Sequence, residues 1–230
     1  MLVVIEGLDG AGKSTQVKLL RAYLEEISPR LEYIHFPRYD APVYGELIGK
    51  FLRGGFGTID RVHPQLVALL YAEDRHAAVP RMQAVLHEGG TVLLDRYVYS
   101  NIAYQCAKVA DPQGREDLRE WILNTEYGAF GLPRPDVNLF LDVPIGFVEQ
   151  KLRNARQGAD RSYLAGHRDI HEADLAFQRK VRDVYVRQNA VDPRFIRIDC
   201  AAPDGTMLPP DAIFEKVKAA VDPFYPHPDS

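Results

Sequence analysis

Short apolar runs alternate along the chain with longer stretches in which apolar residues recur every three or four positions. Leu2-Val3-Val4-Ile5 is a continuous β-rich run, the pattern of a strand buried on both faces. Val17, Leu20, Leu24 and Ile27 then fall at helical spacing, and Ser28-Pro29 stops them. Residues 33–36 read as a second strand, closed by Pro37. Residues 46–53 predict a short helix ended by Gly54-Gly55. Residues 63–88 predict one long helix, kinked at Pro80 and stopped by Gly89-Gly90. Residues 91–95, 137–143 and 195–198 complete a set of five strands.

Strands that alternate with helices of this length predict an α/β fold: a five-stranded parallel sheet flanked by helices. There is no internal repeat and no linker, so residues 1–222 are expected to form a single domain. Two stretches break the rhythm. Residues 153–168 are polar and arginine-rich and carry Gly158 and Gly166, which suggests an excursion between two helices. Residues 223–230 are proline-rich and are expected to be a frayed tail.

Composition narrows the function classes. The 230 residues fit one domain, and 46% apolar with 26% charged residues is a globular balance. Lys and Arg total 28 against 32 Asp and Glu, a net charge of −4, which argues against a broad nucleic-acid-binding face. No apolar run approaches the ~18 residues of a membrane span. The first run stops at Glu6, too short for a signal peptide. Cys106 and Cys200 form no CxxC and no disulfide framework, so a reducing, cytoplasmic setting is expected. The histidines are scattered, and His171-Glu172 lacks the H-E-x-x-H spacing of a zinc site.

Specific chemistry enters at Gly7-Leu8-Asp9-Gly10-Ala11-Gly12-Lys13-Ser14, followed by Thr15. It matches G-x-x-x-x-G-K-[ST], directly after a predicted strand and opening a predicted helix. Glycines let the backbone curl so that N–H groups converge on phosphate oxygens, and the helix N-terminus adds its positive end. Lys13 would reach the β- and γ-phosphates, and the Ser14 hydroxyl would ligate Mg²⁺. The alternative is a glycine-rich turn with no ligand. The N-K-x-D stretch of GTPases and the L-S-G-G-Q stretch of transporter ATPases are both absent.

Arginines follow the predicted strands. Arg38 stands in Phe36-Pro37-Arg38-Tyr39 and Arg96 in Asp95-Arg96-Tyr97, both past strand ends, where ligands of open α/β sheets bind. Arg75 lies in the long predicted helix. A guanidinium fork matches phosphate, so several arginines beside a nucleotide loop suggest a second phosphorylated ligand. The structural alternative for each is a solvated charge or an ion pair with Asp74 or Asp95.

These segments, in this order, resemble the thymidylate kinase family. To the loop and Phe36-Pro37-Arg38 are added Leu70-Tyr71-Ala72 with Arg75, Asp95-Arg96-Tyr97, Ser100-Asn101-Ile102-Ala103-Tyr104-Gln105 and Pro133-Arg134-Pro135-Asp136-Val137. The resemblance runs from Leu2 to about Tyr185. It implies a P-loop NTPase fold with a small arginine-containing lid, Mg-ATP as phosphoryl donor, dTMP as acceptor and a homodimer. Arg96 and Arg38 would hold the acceptor phosphate. Arg75 and Gln105 would read the thymine edge, with Tyr71 stacked on its face and Tyr104 crowding the sugar 2′ position. Asp9 would lie near the 3′-hydroxyl and the magnesium shell, and Phe36, Ser100 and Asn101 would line the acceptor site. For Tyr71 and Tyr104 the structural alternative is core packing.

Some members carry an arginine inside the nucleotide loop, where this chain has Gly10. Catalytic positive charge is then expected from the lid, with Arg156 and Arg161 as candidates. Asp160-Arg161 keeps the start of a D-R-x-E pattern, but Tyr163 stands where the acid would be. Two rival functions remain open on the residues alone. A deoxynucleoside kinase would need a carboxylate base for a neutral hydroxyl. A non-catalytic nucleotide-binding regulator would not need the acceptor-side arginines.

Overall fold

Strand β1 (Leu2–Gly7) is the middle of a five-stranded parallel sheet of order β2-β3-β1-β4-β5. The other strands are β2 (Leu31–His35), β3 (Thr91–Asp95), β4 (Val137–Asp142) and β5 (Phe195–Asp199). Every residue of β1, β3 and β4 is buried, as continuous apolar runs in a doubly covered sheet require. The computed structural model describes residues 1–58, 61–154 and 175–225.

Helices cover both faces of the sheet: α1 (Lys13–Ile27), α2 (Tyr44–Leu52), α3 (Pro64–His76), α4 (Val79–His87), α5 (Val98–Cys106), α6 (Pro112–Leu123), α7 (Ile145–Asn154), α8 (Leu175–Val191) and α9 (Pro210–Val221). The five-stranded parallel architecture expected from the sequence is present. The single long helix expected over 63–88 is not. It is two helices, α3 and α4, parted at Ala77–Ala78. Pro80 has no N–H to donate and its ring clashes with the carbonyl four residues back, which is that of His76, the last residue of α3. The break therefore falls ahead of the proline.

The tail differs in part as well. Asp222–Phe224 form a 3₁₀ turn, Tyr225 Oη lies 2.7 Å from Thr91 Oγ1, and Tyr23 donates to Asp222 at 2.5 Å. Residues 223–225 are thus docked against the body. Residues 226–230 lie outside the described residues, as does the expected lid beyond Asn154.

One main core surrounds the sheet, and a smaller apolar cluster of Ile48, Phe51, Leu52 and Val67 joins α2 to α3. Truncating a fully buried β-strand leucine such as Leu139 would cost about 2–5 kcal/mol. All nine residues of α5 are buried. Its polar residues are therefore paired inside the protein or face a cavity.

Candidate active site

The loop after β1 curls as its sequence predicts. Gly10 and Gly12 both take φ of 77°, a left-handed conformation that a side chain disfavours, and Gly12 caps α1. Ala11 N–H closes the turn on the Leu8 carbonyl at 3.2 Å. The first turn of α1 carries no acidic residue, and Ser14 and Thr15 are exposed there. Lys13 folds back over the loop, donating from Nζ to the Leu8 and Gly7 carbonyls at 3.0 and 3.3 Å. Burial and the nearby Arg96 lower its pKa to about 8. The curled loop, the head of α1 and the Lys13 ammonium together form an arrangement that can hold an anion, with Lys13 bonded to loop carbonyls.

Beside it lies a partly open pocket at the carboxyl ends of β1, β2 and β3. Asp9, Phe36, Tyr71, Arg75, Arg96, Ser100, Asn101, Tyr104 and Gln105 all line it, together with Pro37, Tyr39 and Leu52. The structure therefore brings together residues that the sequence scatters over four segments. The i, i+4 spacing of Ser100 and Tyr104, and of Asn101 and Gln105, puts both pairs on adjoining stripes of α5. Arg38 is placed differently. It lines an adjoining groove, with its Nε on Asp74 Oδ1 at 3.0 Å and its Nη2 on the Asp74 carbonyl at 2.6 Å. The ion pair with Asp74, the structural alternative for this residue, is formed. Arg156 and Arg161 lie outside the described residues.

Arg96 is the pivot of the pocket. It adopts φ of 68°, which is strained for a non-glycine residue and places its side chain over the nucleotide loop. Its Nη2 meets Asp9 Oδ1 at 2.5 Å, its Nη1 donates to Ser100 Oγ at 3.2 Å, and its guanidinium lies 5.2 Å from the Tyr104 ring centre. Tyr104 Oη donates to the other Asp9 oxygen at 2.6 Å. Gln178 of α8 adds a donor to that oxygen at 3.3 Å.

Beneath Arg96 sits Glu6, fully buried in β1. It accepts from the backbone N–H groups of Tyr97 and Ser100 at 3.0 and 3.1 Å, from Ser100 Oγ, and from Tyr185 Oη at 3.0 Å. Burial raises its pKa, against the pull of those donors. Asp95 is held the other way. Burial opposes ionisation, but the His35 ring at 3.2 Å and the positive Lys13 keep its carboxyl below the usual range. Its Oδ1 is buried without a partner.

Glu126 is a further participant that the sequence reading did not single out. It is buried and binds Arg75 with both oxygens, at 2.5 and 2.8 Å. Gln178, Tyr185 and His35 were likewise unmarked. Among the described residues, no group of three or more His, Cys, Asp or Glu is arranged to hold a metal, and no helix is long and apolar enough to cross a membrane. Cys106 and Cys200 are both buried as free thiols.

A nucleotide cradle at the head of α1, flanked by an arginine-bearing pocket on a parallel sheet, defines a P-loop phosphotransferase scaffold. Comparison with known proteins specifies it further. The family model described as thymidylate kinase matches residues 5–206. The chain belongs to the thymidylate kinase family. It is 39% identical over 203 residues to a probable thymidylate kinase of Thermococcus gammatolerans, covering 86% of each chain. It is 34% identical over 220 residues to the thymidylate kinase of Thermomicrobium roseum, covering 95% of this chain and 93% of that one. A solved thymidylate kinase from Candida albicans superposes with a TM-score of 0.71 at 25% identity, covering 97% of this chain and 91% of the other.

Proposed function

We propose that the chain transfers the γ-phosphoryl group of ATP to dTMP, giving ADP and dTDP. The observation that carries this reading is the adjacency of two anion sites, the Lys13 cradle and the Arg96 pocket, bridged by Asp9. A phosphate acceptor is already ionised, so no general base is needed. The protein must bring two anions together and neutralise the charge that develops between them. ATP binds with its phosphates on the loop of Gly7, Gly10, Ala11, Gly12, Lys13, Ser14 and Thr15. The acceptor phosphate lies on Arg96, and Arg38, held by Asp74 in the adjoining groove, would reach it by turning its fork. The base enters between Tyr71, Arg75, Asn101 and Gln105, above Phe36, with Tyr104 against the sugar.

Hard oxygen donors suit Mg²⁺, which binds through a few protein oxygens and substrate phosphates rather than a full protein cage. The exposed Ser14 hydroxyl and the unpartnered Asp95 Oδ1 fit that chemistry. The Asp9 oxygens also fit, although Arg96 and Tyr104 already engage them. When bound, the metal would neutralise phosphate charge. A homodimer is the assembly we infer, supported by the exposed apolar side chains Val43, Phe56 and Leu66 near α2 and α3. Two buried free thiols support a cytoplasmic setting.

A coupled ADP-release assay across a panel of nucleoside monophosphates and thymidine tests the reading. Turnover highest with dTMP supports it. Faster phosphorylation of thymidine, or ATP binding with no transfer to any monophosphate, would refute it.

A further inference from the structure

Between α6 and β4 the chain forms a π-helical turn over Asn124–Ala129, a geometry that recurs at functional sites. The turn delivers the buried Glu126 carboxylate to the residues that line the pocket. Its Oε2 accepts from Arg75 Nε at 2.5 Å, and its Oε1 accepts from Arg75 Nη2 at 2.8 Å and from Asn101 Nδ2 at 2.9 Å. Asn101 Nδ2 also donates to the Ala68 carbonyl at 3.0 Å.

Both partners of that amide nitrogen are acceptors only. The Asn101 side chain therefore has one allowed orientation, nitrogen toward Glu126 and oxygen away from it. That oxygen, Oδ1, is buried and has no partner, on a residue that lines the pocket. Gln105 is fixed in the complementary sense. Its Oε1 accepts from Lys108 Nζ at 2.7 Å, which leaves its amide nitrogen to donate. Arg75 keeps Nη1 beyond the fork that Glu126 occupies. Burial opposes the Arg75 charge, yet Glu126 holds its pKa above the ordinary value, so the group remains a donor.

Two donors and one acceptor, Arg75 Nη1, the Gln105 amide nitrogen and Asn101 Oδ1, thus belong to residues that line the pocket. A pyrimidine imide edge presents two carbonyl oxygens and an N–H between them, which is the complement. An aminopyrimidine presents an amino group and an unprotonated ring nitrogen, so the Asn101 oxygen would face another acceptor. We propose that Glu126 is a specificity-determining positioning residue, which selects imide bases over aminopyrimidines by fixing the Asn101 amide and the Arg75 fork. The proposal rests on the reading of this pocket as the acceptor-nucleotide site.

Glu126→Gln tests it. A glutamine presents one acceptor oxygen where Glu126 presents two, so its amide nitrogen opposes a donor of the Arg75 fork or of Asn101, and the two side chains are no longer held in one arrangement. The ratio of dCMP inhibition constant to dTMP KM is expected to fall at least tenfold, with the KM for ATP unchanged. A ratio within twofold of wild type in a folded variant overturns the proposal. If Glu126→Gln does not fold, Asn101→Ala replaces it, with the same fall expected and the same unchanged ratio counting against. Tyr71→Ala separates the two levels of the argument. It is expected to raise the dTMP KM at least tenfold while sparing ATP. An unchanged dTMP KM removes the pocket assignment and the proposal together. A raised KM with an unchanged Glu126→Gln ratio removes the proposal alone.

Discussion

Arg96 and Asp9 meet at 2.5 Å across the loops that follow β3 and β1. The same carboxylate accepts from Tyr104, so it ties the nucleotide loop to α5 as well. Asp9→Asn removes the charge that orients Arg96 and keeps most of the shape. We expect kcat to fall by about 10²-fold, in the range lost when a preorganised charge-stabilising group is removed. Thermal stability should fall as well, because the pair is largely buried and Arg96 loses its charged partner. Steady-state kinetics and a melting curve on the same preparation check both halves.

Lys13 makes a pH-dependent prediction. Its pKa of about 8 in the free protein means that the cradle loses its charge as pH rises through 8. Bound phosphate favours the protonated lysine, so the loss should appear in kcat/KM for ATP and not in kcat. A kcat/KM for ATP that stays level from pH 7 to 9.5 would count against the assignment. Lys13→Ala should nearly abolish turnover at every pH while circular dichroism stays native.

Glu6 is expected to matter for folding and catalysis together. Glu6→Ala leaves the Tyr97 and Ser100 N–H groups and the Tyr185 hydroxyl facing a void, at a cost of ~3 kcal/mol. The midpoint of urea unfolding should drop accordingly. Arg96, whose strained backbone is held by those bonds, should lose register, and kcat should fall even at temperatures where the variant is folded.

Arg38 distinguishes a ligand role from a structural one. If it holds acceptor phosphate, Arg38→Ala raises the dTMP KM at least tenfold and leaves the KM for ATP near wild type. If it serves only its ion pair with Asp74, the melting temperature shifts and the dTMP KM does not. Fluorescence melting alongside dTMP titration separates the outcomes.

Much of the fold was legible because burial imposes simple patterns. β1 opens with four apolar residues, Leu2 to Ile5, that point alternately to both faces, because β3 and β4 flank it and helices cover it. Pro80 announced a disruption but not its position, since a proline acts on the carbonyl four residues back. The pocket was legible through motifs whose members lie just past strand ends or one turn apart on α5. Glu126 was not, because a π-turn has no periodicity that marks an inward residue. Tyr185 and Gln178 look like ordinary positions on an amphipathic helix. Their partners, Glu6 in β1 and Asp9 in the loop after it, lie more than 160 residues away in the chain, so only the fold brings them together. Arg38 shows the opposite limit: it follows β2 as the sequence indicates, but the nearest carboxylate decides where its fork points.

The sheet register has a mechanical consequence. Ile5 pairs with Asp95, and the Arg96 N–H bonds the Ile5 carbonyl at 2.9 Å. On the proposed reading, the donor-side Lys13 at the head of α1 and the acceptor-side Arg96 follow neighbouring strands, whose separation is a hydrogen-bonded constant of about 4.8 Å. The two strand ends are held at a fixed spacing by backbone pairing, and the side chains of Lys13, Asp9 and Arg96 work from that frame. Substrate preference can drift through substitutions in α3, α5 and the π-turn without disturbing the span across which the phosphoryl group must travel.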